Sequence, residues 1–246
     1  MMRKHFLLVP IITLLAAFSL TAVTAQPRPQ LVMGEFVKGN ISHEEYEAWY
    51  TFTGAAGDTV LIEVIPDSLT FNLDPTVELR NTNNETIALN DDFNFPVSLV
   101  VAKLPTEGNY TVVVSRAGGE VGDTAGDFSL RASIVQPVTS GAVINAEVNS
   151  DANAIPLRYV LNPAADQTIE ITFSQSIGEN YAGIRVFKWV SDASPDVLMN
   201  LDSTAQLSKA VLTVNLEADN FYIIQLAQTS YSFTDAMLFP VMLEIQ

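Results

Sequence analysis

Three carboxylates, Asp74, Asp91 and Asp92, are the residues of this chain best suited to bind an ion. Asn90-Asp91-Asp92 forms one run, and Asp74 is its candidate partner from upstream. Calcium takes six to eight oxygens, several of them from carboxylates on loops that can wrap the ion. A second acidic run is Glu44, Glu45 and Glu47. Neither run has the spacing of the helix-flanked calcium loop, and Asn-Asp-Asp also makes a turn through side-chain-to-backbone bonds. Both readings stand at this level: a metal site at Asp74, Asp91 and Asp92 with calcium as its cofactor, or a turn with a solvated acidic face.

Covalent and general-base catalysis find little material. The chain has no cysteine. Beyond the N-terminal leader, His43 is the one histidine. It sits in Ser42-His43-Glu44-Glu45-Tyr46, which is not the two-histidine helical zinc motif. No Gly-x-Ser-x-Gly elbow is present, and no glycine-rich phosphate loop follows a strand and opens a helix. Among 28 acids, carboxylate pairs arise by number alone and single out no glycosidase pair. The expected class is therefore a non-enzyme. Trp49, Trp189, Tyr46, Tyr181 and Tyr231 are the candidates for a stacking platform, and sandwich cores absorb the same residue types.

Met1 to Lys4 opens with two basic residues, Phe6 to Leu20 is almost wholly apolar, and Val23-Thr24-Ala25 ends in small residues. This pattern predicts a secretory leader over 1–25, cleaved after Ala25. Its loss leaves ten basic against 28 acidic residues. So acidic a chain lacks the basic surface that nucleic acids require, and anionic lipid is disfavoured in the same way. No other stretch is long and apolar enough to span a bilayer. The expected location is secreted, extracellular or at the cell surface. Export permits disulfides, and none can form here, so stability must come from core burial.

A repeat organises the rest. Gly34 to Ile41 lies over Gly141 to Val148, and Trp49 to Val60 over Arg158 to Ile169. Leu104 to Tyr110 lies over Leu216 to Tyr222, and Phe128 to Ile134 over Phe239 to Ile245. Four blocks in one order, at offsets of 107, 109, 112 and 111, indicate a duplicated domain. The boundary falls at Gln136 to Gly141. The second copy is worn: it keeps 3 of the 12 glycines. Val60, Ile62 and Val64 alternate with Leu61 and Glu63, and Tyr110, Val112 and Val114 with Thr111 and Val113. Phe128, Leu130, Ala132 and Ile134 repeat the pattern. Such period-two alternation places one face in a core and the other toward water. Phe52, Val60, Ile62, Tyr110, Val112 and Val114 are predicted core, with Tyr159, Ile169, Ile171 and Tyr222 in equivalent places. Eight strands are predicted in the first copy, over 35–38, 47–53, 59–66, 75–80, 86–90, 98–103, 108–116 and 126–134. The fold class is all-β: two tandem jelly-roll-like β-sandwiches, over 31–136 and 139–246.

The first copy resembles the bacterial pre-peptidase C-terminal domain family. The residues that carry the likeness are Trp49 to Val60, Leu73-Asp74-Pro75-Thr76-Val77-Glu78-Leu79, Asn90-Asp91-Asp92 and Leu104 to Val112. The second copy keeps the aromatic and turn blocks but lacks the Asp-Pro and the Asn-Asp-Asp. The resemblance implies a non-catalytic appendage of secreted hydrolases, in some members adhesive toward polysaccharide or protein and in some calcium-binding. The expected function is thus a secreted module that binds an extracellular polysaccharide or protein. The alternative is a structural or propeptide-like companion of a separately encoded peptidase or hydrolase.

Overall fold

The computed structural model describes residues 28–67, 72–94, 96–149, 151, 154–175, 182–201, 208–228 and 238–246. The predicted leader lies outside them. The first half runs β1 (Phe36–Ile41), β2 (Glu47–Gly54), β3 (Thr59–Pro66), β4 (Pro75–Arg80), β5 (Thr86–Asn90), β6 (Ser98–Lys103), β7 (Gly108–Arg116) and β8 (Gly126–Val135). The second runs β9 (Val143–Asn149), β10 (Leu157–Leu161), β11 (Gln167–Gln175), β12 (Ala182–Lys188), β13 (Asp196–Leu201), β14 (Lys209–Leu216), β15 (Tyr222–Gln228) and β16 (Leu238–Ile245). The eight strands expected of the first half are all present, within a few residues at each end.

These strands form four four-stranded sheets with antiparallel neighbours. In the first half the back sheet has the order β1-β8-β3-β6 and the front sheet β2-β7-β4-β5. In the second half the orders are β9-β16-β11-β14 and β10-β15-β12-β13. Each strand of the second half therefore takes the place of the strand eight before it. Both halves are eight-stranded jelly rolls with one topology. Even a bulge is repeated: the register shifts after Leu79 in β4 and after Val186 in β12.

The core of each half lies between its two sheets. Phe52, Val60, Ile62, Tyr110, Val112, Val114, Phe128 and Leu130 fill the first, and Ile169, Ile171, Phe173, Tyr222, Ile224 and Leu243 the second. Each half carries a tyrosine corner. Tyr110 donates its hydroxyl hydrogen to the carbonyl of Thr106, and the hydroxyl of Tyr222 accepts from the Glu217 amide at 2.7 Å. In β1, Gly39 makes room for neighbours: a Cβ there would lie 2.3 Å from the Phe128 ring and 2.4 Å from the Tyr50 hydroxyl. The second half has Ala146 at that place, and its Tyr159 is half-buried where Tyr50 is buried. The expected burial of Tyr159 is corrected accordingly.

Register also corrects the last repeat block. Ile62 faces Ala132, and its counterpart Ile171 faces Ile245. Ala132 thus corresponds to Ile245 and Leu130 to Leu243, a slide of two residues from the sequence match. A slide of two keeps every side chain on its own face, so alternation is blind to it. Burial agrees: Ile134 is 42% exposed, whereas Ile245 is fully buried.

The largest departure from the sequence reading is at β3. Leu61 and Glu63 alternate with core residues yet do not face water. Leu61, Leu99 and Val101 on the outer face of the back sheet pack with Phe93 against Val160, Phe187 and Ile223 of the second half. This third cluster joins the halves. Beside it lies a buried ion triad. Glu63 accepts from Arg131 through one oxygen and from Arg158 through the other. Glu63 and Arg158 are almost wholly buried. Burial pulls the Arg158 guanidinium below its ordinary value, and Glu63 opposes that pull. An arginine so placed still keeps its charge.

The β12–β13 hairpin completes the join. Leu89 of β5 accepts from the Asp192 amide at 2.7 Å, and its own amide donates to the Ser191 hydroxyl. Asn90 donates to the Ala193 carbonyl at 3.1 Å. The hairpin tip so covers an edge strand that would otherwise offer free backbone groups.

Candidate binding surface

Trp49 does not join the other aromatics. Trp189 packs into the join between the halves, where its indole N–H donates to the Leu99 carbonyl at 2.9 Å. Tyr46 lies beneath Arg116, and Tyr181 and Tyr231 are outside the described residues. What surrounds Trp49 is the outer face of the front sheet of the first half. Trp49, Val113 and Glu78 stand in one cross-strand row, and Thr51, Thr111 and Arg80 in the next. Residues 28–31 run along the β2 edge. Leu31 donates to the Thr51 carbonyl at 2.8 Å, and Thr51 donates to that of Pro29 at 2.9 Å. This segment carries Arg28 over the sheet.

The result is an indole with two guanidiniums on it. The Arg28 guanidinium lies 4.2 Å from the Trp49 ring centroid, and that of Arg80 lies 4.9 Å away. The indole N–H donates to Glu47 at 3.1 Å. Arg80 forks onto Glu78, with bonds of 2.9 and 2.7 Å. Arg28 donates to the Thr111 hydroxyl at 3.3 Å, and among the described residues no carboxylate pairs with it. Thr53 and Asn109 extend the polar surface, joined at 2.8 Å. Burial raises the Glu78 carboxyl, but hydrogen bonds from Arg80 and Thr86 outweigh it and hold the group below its ordinary value. Such a face combines a flat aromatic with fixed donors and acceptors. That chemistry suits sugar rings or extended peptide. Arg28 and Arg80 were not singled out from the sequence. The signal for Arg80 is period two itself: Thr76, Glu78 and Arg80 alternate with the core residues Pro75, Val77 and Leu79.

The acidic trio sits elsewhere, at the ends of β4 and β5. Asp74 is raised by burial first, then by the nearby charges of Asp92 and Asp91. Its Oδ1 is buried without a hydrogen-bond partner. The three carboxylates therefore feel one another, yet among the described residues no three of His, Cys, Asp or Glu gather closely enough to hold a metal ion. Asn90 serves the fold: its side-chain oxygen accepts from the Leu99 amide at 3.0 Å. In the other acidic run, Ser42 accepts from the amides of Glu44 and Glu45, and Glu47 serves Trp49. His43 is an exposed loop residue with its Nδ1 3.4 Å from Arg116. Asp92 also lines a cleft of about 470 Å³ between the halves, where the Phe93 and Phe187 rings lie 4.9 Å apart. Asp202, the partial counterpart in the second half, lies outside the described residues.

A raised Asp74 has a defined pH signature. A carboxyl whose folded pKa exceeds its unfolded value destabilises the chain fully above the folded pKa. That cost disappears as pH falls through the folded value toward the unfolded one. Asp74→Asn should therefore raise the thermal midpoint at pH 7, and the gain should shrink as pH falls into the ordinary carboxylate range. A gain that is equal at both ends would show that the Asp74 charge is not its source.

No family model matches the chain. A segment of 68 residues, 27% of the chain, is 35% identical to a probable subtilase-type serine protease of Deinococcus radiodurans and spans 9% of that protein's length. Among solved structures, the pre-peptidase C-terminal domain of a Bacillus anthracis collagenase aligns at 16% identity and a TM-score of 0.37, over 45% of this chain and all of that one. The N-terminal CBM22-1–CBM22-2 tandem domain of Xyn10C from Paenibacillus barcinonensis aligns at 11% identity and a TM-score of 0.20, over 80% of this chain and 75% of that one.

Proposed function

We propose that the chain is a secreted, non-catalytic binding module of two pre-peptidase C-terminal-like repeats, 31–136 and 139–246. In this reading it recognises an extracellular polysaccharide or protein through the front sheet of the first repeat. The observation that carries this reading is the Trp49 surface, an indole in contact with Arg28 and Arg80 on the outer face of the sheet. Its counterpart in the second repeat is spent on the join, so the tandem presents one such face. The test is an array of purified polysaccharides and matrix proteins probed with the mature chain and with Trp49→Ala. The wild-type chain should bind at least one polymer, and Trp49→Ala should weaken that binding at least tenfold while melting normally. Equal binding by the two proteins would remove the face from the account.

A companion role for a separately encoded hydrolase is the second reading, favoured by the segment shared with a subtilase-type protease. Calcium is a further part of the proposal at Asp74, Asp91 and Asp92, whose carboxylates would have to draw together around the ion. A divalent ion would occupy the unpartnered Asp74 oxygen and relieve repulsion among the three charges. An ion that binds only the folded form adds about 2.7 kcal/mol at 100 times its Kd. Millimolar calcium at matched ionic strength should raise the thermal midpoint, and Asp91→Asn with Asp92→Asn should abolish the rise. No shift in the wild-type chain would leave the trio as a turn.

A further inference from the structure

The join between the halves uses one outer face of each, and among the described residues no other sheet meets the remaining outer face of either. The back sheet of the first half meets the front sheet of the second. Because both halves have one topology, the chain carries the complementary pair at its two ends. One is the front sheet of the first half, and the other is the back sheet of the second. We propose that these end faces are the two sides of a vacant docking contact that fits a second copy of this chain, head to tail. Polar residues at its anchor positions hold it open.

Register identifies the anchors. In the join, Phe187 stands opposite Ile223, with the repeated bulge just before it. At the same place on the free front sheet, Arg80 stands opposite Thr111. Val160 corresponds to Thr51, one residue before the paired Leu161–Tyr222 and Phe52–Tyr110. On the other side of the join, Leu61 faces Val101. On the free back sheet, Glu170 faces Thr213 in their place. Leu99 keeps an apolar counterpart, Val211, which is 55% exposed. Five apolar anchors have thus become Thr, Arg, Thr, Glu and Thr. Closing the contact would strip water from Glu170 and from the Arg80–Glu78 fork, and both oppose association.

The edge strands tell the same story. Residues 191–193 cover β5 inside the chain, whereas the equivalent edge, β13, leaves Val197 57% exposed. A contact of one face with a different face does not close on itself, and repetition of it gives open rows. Repeat proteins stop such growth with polar outer faces on their terminal units.

The test restores the anchors one face at a time in the full mature chain. A front variant carries Glu78→Gln, Arg80→Phe and Thr111→Ile, the first so that no carboxylate loses its arginine. A back variant carries Glu170→Leu and Thr213→Val. Sedimentation velocity should find the wild-type chain and each variant monomeric when alone. An equimolar mixture should double in mass and stop at a dimer, because its remaining faces are still polar. A chain with both sets should form longer rows. Three results would overturn the proposal: variants that melt normally but stay monomeric when mixed, either variant associating with itself, or the wild-type chain stacking unaided. None of these readouts involves a polymer ligand, so failure here is separate from failure of the proposed function.

Discussion

Glu63→Ala should lower the stability of the chain by about 3–5 kcal/mol, more than almost any other single change outside the two cores. Arg158 is nearly sealed from water, and its partners are the Glu63 carboxylate and, at 3.2 Å, the Gln225 side chain. Removal of Glu63 leaves a buried guanidinium without a counter-charge. Arg131 suffers less, because it is 28% exposed and can turn to solvent. The cost should be largely reversed in Glu63→Met with Arg158→Met, since exchange of a buried ion pair for packed apolar groups is often neutral or stabilising. Chemical denaturation of the two single variants and the double variant gives the comparison. If Glu63→Ala costs under about 1 kcal/mol, the triad is hydrated and the halves are not sealed together as described.

Tyr110→Ala is the second large effect. The ring is fully buried and stacks on Phe52 at 5.5 Å between centroids. Truncation of a buried aromatic costs about 3–5 kcal/mol. Each kcal/mol moves the midpoint of a chain this size by about 2–4 °C, so the fall should be roughly 6–20 °C. Tyr110→Phe separates ring from hydroxyl. It keeps the packing and loses only the hydroxyl's bonds to Thr106, at a cost of about 1 kcal/mol. Tyr222→Phe should behave alike, because its hydroxyl accepts from Glu217 at the same corner of the second half. Equal losses for Tyr110→Ala and Tyr110→Phe would place the stability in the corner bond and not in the core.

The strands of the first half were legible because three signals coincide there. Alternation marks the buried face, Gly and Asn-Asp clusters mark the turns, and the repeat blocks recur in one order in the second half. The join was not legible for a physical reason. Alternation reports that Leu61 and Glu63 point away from their own core; it does not report what lies on that side. The missed signal is the near-continuous apolar run Thr59 to Ile65, which suits a strand buried on both faces. Trp189 stood open between a stacking platform and a packed aromatic; the polar loop after it is the hairpin that covers β5, and the indole packs into the join. The two-residue slide of β16 was invisible because it preserves the face of every residue. At the candidate surface Trp49 was legible, and its arginines were not. Arg28 reaches the ring through a segment paired with β2, and Arg80 through a neighbouring strand.

The halves form one docked body, and Trp189 reports on that join directly. The chain has two tryptophans, so Trp49→Phe leaves Trp189 as the sole indole. A urea titration of this variant, followed by Trp189 emission and by far-ultraviolet circular dichroism, compares loss of the join with loss of the strands. The transitions should coincide in this variant, and once Glu63→Ala is added the emission change should precede the loss of strand signal. Trp189 emission that is already that of a solvated indole in water, or that shifts well before the strands are lost while Glu63 is intact, would contradict a docked join.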